Sequence, residues 1–138
     1  MGRIVTKISI YNRGDQVLAE RNLIAPSEVR SLELNEVLVD TGATTLCLPA
    51  PQIEQLGLSL LREVPVTTAQ GMATARIFQD AKLSLFGREG TFECLELPAD
   101  ADPLLGVIPL EFLGIELDLK NQELRLLPLD PQASYLRI

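Results

Sequence analysis

A chain of 138 residues, 46% of them hydrophobic and 22% charged, can form one hydrophobic core and predicts a single domain at 1–138. The net charge of −7, without a cluster of Lys or Arg, disfavours nucleic acid and anionic membranes as partners, because phosphate binding requires a basic surface. The absence of histidine excludes Ser-His-Asp and Cys-His catalytic sites and His-ligated zinc.

The two cysteines, Cys47 and Cys94, lie far apart and predict buried free thiols rather than a redox motif or a four-ligand metal site. The acidic segment 98–103 lacks the further oxygen ligands of a calcium loop, so we expect no metal, and we expect no cofactor. The first residues, with Arg3 and Lys7, have no apolar run long enough for a signal peptide or a membrane span. A cytoplasmic location is therefore the default expectation.

The first part of the chain has the pattern of an antiparallel sheet. Alternating apolar residues predict a strand at 3–11, a turn at 12–15 and a second strand at 17–22. A segment at 29–34 then leads toward Val37-Leu38-Val39, whose continuous apolar character predicts a strand buried on both faces.

Asp40 comes directly after this apolar run, and a hydroxyl, a glycine and a small residue follow it. The pattern predicts a buried Asp40, and burial disfavours a charged carboxylate unless hydrogen bonds or a proton-sharing partner stabilise it. Gly42 permits a tight turn whose backbone N–H groups face the carboxylate, and Ala43 adds little bulk beside it. Because the chain lacks histidine, carboxylates are the natural acid–base groups, and Asp40 is the candidate catalytic residue.

The rest of the chain is predicted to combine strands and hairpins with two short helices. Pro51 suits the first turn of the first helix, and Gly57 suits its C-cap. Gln70-Gly71 marks the tip of a hairpin, for which an ordinary surface turn is the plainest interpretation. The predicted helices lie at 51–57 and 107–113, and the predicted strands at 46–49, 64–69, 72–78, 81–86, 91–97, 115–119, 124–127 and 135–138.

The stretch 37–46 resembles the active-site loop of the retropepsins, the aspartic proteases of retroviral type. The match is Asp-Thr-Gly-Ala at 40–43 after aliphatic residues, together with a second element, Leu104-Leu105-Gly106, ahead of a short helix. The resemblance implies an all-β, closed-barrel-like fold with one short C-terminal helix. It also implies that the Leu104 strand packs against the Asp40 loop, and that the hairpin at Gln70-Gly71 is a flap that closes over the substrate.

A single copy of Asp-Thr-Gly implies a C2 homodimer in which each chain contributes Asp40 to a shared pair of carboxylates. The resemblance assigns the catalytic site to Asp40, Thr41 and Gly42, with the pair of carboxylates activating a water that attacks the peptide bond. The implied substrate is an extended polypeptide, bound as an added strand. The substrate-binding residues would be Ala43, Gln70, Gly71, Met72 and Ile108.

The sequence departs from the viral pattern at two places. Thr44-Thr45 stand where viral enzymes carry acidic residues, and Val107 stands where they carry Arg, which indicates a cellular relative rather than a viral enzyme. Two other interpretations stay open. In one, the same dimeric fold binds peptides or supports assembly with a catalytically silent Asp40. In the other, the chain is an unrelated β-rich domain in which Asp40 is a buried N-cap or turn residue.

Overall fold

The structure is a computed structural model that describes residues 3–128, and most of its elements are strands. Within this range there are three short helices, α1 (Arg13–Glu20), α2 (Ala50–Leu56) and α3 (Val107–Phe112), and a 3-10 turn at Pro26–Glu28. None of these helices is long and apolar enough to cross a membrane. The predicted strand at 135–138 lies outside the described residues. The strands are β1 (Val5–Asn12), β2 (Ser31–Val39), β3 (Leu46–Pro49), β4 (Ser59–Thr68), β5 (Gly71–Leu85), β6 (Arg88–Leu97), β7 (Leu104–Leu105), β8 (Ile115–Asp118) and β9 (Glu123–Leu126).

Seven strands form one sheet in the order β1-β2-β7-β3-β6-β5-β4, and β1 also pairs with β5. Strands β8 and β9 form a separate antiparallel pair. The short strand β7 lies between β2 and β3, parallel to β2 and antiparallel to β3, with Leu105 opposite both Val39 and Leu46. This arrangement confirms the prediction that the Leu104 strand packs against the Asp40 loop.

The core consists of aliphatic side chains that alternate along the strands. Ile8 and Ile10 of β1 are 1% and 0% exposed, and they join buried residues of β2, β3, β5, α2 and α3 in one cluster. In β2, Val37 and Val39 are buried, but Leu38 between them is half-buried. Strand β2 is therefore fully covered on one face only, which corrects the prediction of burial on both faces.

The predicted strand at 17–22 is wrong, because residues 13–20 form α1. Asn12, predicted to start a turn, caps this helix instead: its Oδ1 accepts a hydrogen bond from the Asp15 N–H at 2.9 Å. The Asn12 Nδ2 also donates to the carbonyl of Leu56 at 2.9 Å, which ties the start of α1 to the end of α2. The spacing of apolar residues in this segment suits either a helix or a strand, and the hydrogen bonds of the buried Asn12 cap favour the helix.

An ion pair between the buried Asp15 and the half-exposed Arg30 connects α1 to the residue before β2. The Nε and Nη2 atoms of Arg30 donate to the two carboxylate oxygens of Asp15 at 2.8 and 3.0 Å, and the Arg30 N–H adds a third bond at 3.0 Å. The side-chain hydrogen bond from Arg30 holds the pKa of Asp15 below its usual value. Gly57 is the left-handed C-cap of α2, as predicted, and a Cβ there would overlap the Arg30 guanidinium.

The two predicted hairpins are confirmed, with longer strands than expected. Strand β5 runs without a break through both predicted segments, 72–78 and 81–86. Its pairing with β6 shifts register between Phe78 and Ala81, where Asp80 has a φ of +64°. A bulge of this kind bends the strand. The first part of β5 therefore pairs with β4, and its later part pairs with β6 and β1.

Candidate active site

Asp40 follows β2 and begins a tight turn. Its N–H donates to the carbonyl of Leu105 at 3.0 Å, and its own carbonyl accepts from the Ala43 N–H at 3.0 Å. The Gly42 N–H donates to the Asp40 Oδ1 at 2.8 Å, which confirms that the backbone of the turn faces the carboxylate. A Cβ on Gly42 would lie only 3.1 Å from that oxygen, so glycine leaves the bond undisturbed.

Asp40 is half-buried in the single chain, which corrects the prediction of a buried aspartate. Full burial of the strand ends with Val39, because the hydrogen bonds of the turn direct the following residues outward. Thr41 and Gly42 beside it are exposed. The carboxylate is thus fixed by the fold on one side and accessible on the other.

The loop after Asp40 is braced by the start of α3. Gly106 has no room for a side chain, since a Cβ would lie 2.6 Å from the carbonyl oxygens of both Ala43 and Thr45. The motif of two aliphatic residues and a glycine therefore has a steric reason, although Gly106 was not among the predicted site residues. Three successive N–H groups donate to three successive loop carbonyls at 2.8 to 3.0 Å: Gly106 to Thr45, Val107 to Ala43 and Ile108 to Thr44.

The thiol next to this loop is a packing group. Cys47 is 5% exposed, and burial raises the pKa of its thiol to about 11, with a further contribution from the charge of Asp40. Cys94 is also buried, and both are free cysteines, as predicted. A neutral, buried thiol is a poor nucleophile. Among the described residues, no group of three or more Cys, Asp or Glu side chains is arranged to hold a metal ion.

Gln70, Gly71 and Met72 lie at the tip of the β4–β5 hairpin and are exposed. Gly71 has a φ of +110°, and a Cβ there would meet nothing within 4 Å. The Thr68 Oγ1 donates to the Gly71 carbonyl at 2.8 Å and accepts from the Gln70 N–H at 3.2 Å. Within residues 3–128, no hydrogen bond joins this tip to the Asp40 loop. Its contact with a substrate stays a prediction.

A groove of about 410 Å³ adjoins the Asp40 loop on the side of α3. Ile108, a predicted substrate contact, lines it and is 50% exposed, whereas Ala43 is half-buried within the loop. The groove was not predicted, because its walls come from segments that are distant in the sequence. Its lining residues are Thr44, Thr45, Arg62, Ile77, Thr91, Phe92, Glu93, Leu95 and Ile108.

Comparison with known proteins identifies the family. The family model described as gag-polyprotein putative aspartyl protease matches residues 32–111, more than half of the chain and the part that includes both the Asp40 turn and Gly106. The chain therefore belongs to this family of retroviral-type aspartyl proteases, which confirms the predicted resemblance and excludes an unrelated β-rich domain.

A solved structure of EIAV protease complexed with the inhibitor HBY-793 shares the fold. It matches with a TM-score of 0.55 and 21% sequence identity, over 86% of this chain and 94% of that chain. The likeness confirms a mostly β fold of the retroviral protease type with few helices. Comparison with curated proteins gives no match.

Proposed function

We propose that this chain is an aspartic endopeptidase that works as a C2 homodimer, with one Asp40 from each chain in a shared site. The observation that carries the proposal is the Asp40 turn: Gly42 binds one oxygen of a carboxylate that is otherwise accessible. General acid–base hydrolysis needs a second acidic group beside it, and a twofold axis through this turn would supply one. Membership of the aspartyl protease family supports this reading.

In the proposed dimer, two carboxylates lie too close together for both to ionise readily, so the pair shares a proton. The ionised Asp40 takes a proton from water as the water oxygen bonds to the peptide carbonyl carbon. The neutral Asp40 protonates the carbonyl oxygen, which gives a tetrahedral diol. The diol then collapses as its C–N bond breaks and a proton passes to the nitrogen, leaving a carboxylic acid and an amine. Thr41, exposed beside the carboxylate, would hold the two turns together across the axis.

The substrate in this proposal is an extended polypeptide that lies between the Asp40 turns and the β4–β5 hairpins. The hairpin tip has the exposure and open space that a moving cover needs. A closed-barrel form of the sheet is part of the proposal, and the extra pairing of β1 with β5 supports it. We also propose a cytoplasmic location, with which two free thiols are compatible.

Subunit mixing tests the shared site. When equal amounts of wild-type and Asp40→Asn chains exchange at random, roughly a quarter of the dimers keep both aspartates. Activity per wild-type chain should then fall by about half relative to wild type alone at the same total concentration. Mass spectrometry of tagged chains verifies that exchange is complete. Unchanged activity per wild-type chain after complete exchange would contradict the shared pair of carboxylates.

The pH dependence gives a second test. One neutral and one ionised Asp40 predict a bell-shaped profile of kcat/KM on the acidic side of neutral for an unstructured apolar peptide. A flat profile across acid pH, or full activity of the Asp40→Asn protein, would count against the mechanism. If both proteins bind peptide equally and neither cleaves it, the chain is a peptide-binding module with a silent Asp40.

A further inference from the structure

We propose that the groove beside the Asp40 loop selects an uncharged, apolar side chain of the substrate, and that the Arg62–Glu93 ion pair enforces this selection. The groove is the one lined by Thr44, Thr45, Ile77, Leu95 and Ile108 together with that pair. The inference rests on the proposed function, because it assigns a specificity to the peptide that the site would hold.

The floor of the groove is apolar. Ile77 of β5 and Leu95 of β6 are direct neighbours in register, and Ile77 is only 6% exposed. Ile108 of α3 also lines the groove and is 50% exposed. A recess that combines an apolar floor with polar groups around it has the usual character of a ligand site. The volume of about 410 Å³ accommodates a large aliphatic or aromatic side chain.

The position of the groove identifies its occupant as the substrate peptide. Thr44 and Thr45, which line the groove, are the residues that directly follow the 40–43 turn. The Thr45 Oγ1 also donates to the Glu93 carbonyl at 2.8 Å, which joins the loop to the wall of the groove. An extended peptide advances about 3.3 Å per residue, so a peptide that passes Asp40 brings a side chain to the groove within a few residues of the cleaved bond.

Arg62 and Glu93 also line the groove, and their half-exposed side chains form its rim. The Arg62 Nη2 and Nη1 donate to the two Glu93 carboxylate oxygens at 2.7 and 3.2 Å, and the two side chains are 50% and 44% exposed. The pair joins β4 to β6 across β5, and each of its two charges is compensated by the other. A charged substrate side chain would therefore find no free partner in the pair and would lose hydration against the apolar floor. A neutralised rim therefore favours an apolar side chain.

Changing one partner at a time should shift the preference in opposite directions. Glu93→Gln leaves Arg62 unpaired and should improve acceptance of Asp over Lys at the groove position. Arg62→Met leaves Glu93 unpaired and should improve acceptance of Lys over Asp. Because the site is half-exposed, each ratio should change by about two- to fivefold. The Thr45 bond goes to the Glu93 backbone, so the Glu93→Gln change leaves it in place.

The experiment uses peptides in which each position in turn carries Leu, Asp or Lys, and it has two readouts. The first is kcat/KM for cleavage by the full chain and its variants. The second is binding of the same peptides, by fluorescence anisotropy, to Asp40→Asn proteins that also carry each rim change. Matched controls are Glu116→Gln and Arg125→Met, since these residues form a comparable pair at 2.8 Å on β8 and β9, with side chains 48% and 64% exposed.

The expected result is a preference for Leu in the wild type and opposite Asp-to-Lys shifts in the two rim variants, at the same peptide position. The control variants should show no such shift. Equal effects on all peptides, shifts in the same direction, or shifts matched by the controls would overturn the assignment. If nothing is cleaved but binding shows the opposite shifts, the catalytic proposal fails and the groove assignment stands. If no peptide is cleaved or bound, both fail.

Discussion

The Asp40 loop and the tip of the β4–β5 hairpin are built in opposite ways. The loop is held by bonds from outside itself: Leu105 accepts from the Asp40 N–H, and the first residues of α3 donate to the three carbonyls that follow the turn. The tip, by contrast, has hydrogen bonds only among its own residues, 67–72, as far as the described part of the chain shows, and every one of these residues is exposed.

The fold therefore fixes one side of the proposed site and leaves the other free. A catalytic carboxylate must be positioned within a fraction of an ångström, and a brace of backbone hydrogen bonds provides that. A cover must open and close, and exposed residues with few buried contacts have low local stability. Each half can therefore be disturbed separately.

The largest effect is expected from Gly106→Ala, which disrupts the contact between the Asp40 loop and the start of α3. The added Cβ would lie 2.6 Å from two backbone carbonyl oxygens, so the loop or α3 must move. We expect a loss of about 3 kcal/mol in the free energy of unfolding, measured by urea titration, together with loss of peptide cleavage. Gly87→Ala is the control: a Cβ at Gly87 meets nothing within 4 Å, so its cost comes from the positive φ of +77°, about 1 kcal/mol. Similar unfolding midpoints for the two variants would show that the brace is unimportant.

A smaller loss is expected from Asp15→Asn, which removes the ion pair at the start of β2, the strand that leads to Asp40. Removing the buried carboxylate that Arg30 binds should lower the free energy of unfolding at pH 7 by about 2 kcal/mol. Because the folded state lowers the pKa of Asp15, this stabilisation is present above the ordinary Asp pKa. It is lost as the pH falls through the lowered pKa, so the two proteins should converge in acid.

The control for this prediction is Glu20→Gln on the same helix. Glu20 also pairs with an arginine, Arg13 at 2.7 Å, but its side chain is 59% exposed. We expect little change in its unfolding curve at any pH, because exposed ion pairs contribute little. A difference between wild type and Asp15→Asn that does not shrink in acid would contradict the assigned linkage.

The smallest effect on stability is expected from Gly71→Val, which alters the tip of the β4–β5 hairpin. A β-branched residue disfavours a φ of +110°, so the tip should be misplaced or stiffened while the core keeps its packing. We expect kcat/KM to fall while the global unfolding midpoint changes little. Gly87→Val makes the same substitution at the tip of the other hairpin, at a φ of +77°. An equal kinetic loss in both variants would show that the β4–β5 tip has no special role.

Alternation and turn residues in the sequence predict most strands, both hairpins, α2 and α3. Helix α1 could not be predicted in this way, because it depends on Asn12 bridging to Leu56, a contact between segments far apart in the chain. The exposure of Asp40 was missed for a related reason: an apolar run shows that a strand is buried but not how far burial extends beyond it. Predicting the Arg62–Glu93 pair from the sequence would require knowing that β4 and β6 both flank β5.

The position of β7 also determines when the Asp40 turn can form during synthesis. Strands β2 and β3, on either side of it, are made long before Leu104 and Leu105. The bonds from the Asp40 loop to Leu105 and to the start of α3 therefore become available only after most of the described chain has left the ribosome. A partly made chain has the aspartate but not the brace that positions it, so the nascent protein should be unable to cleave itself or its neighbours before α3 emerges.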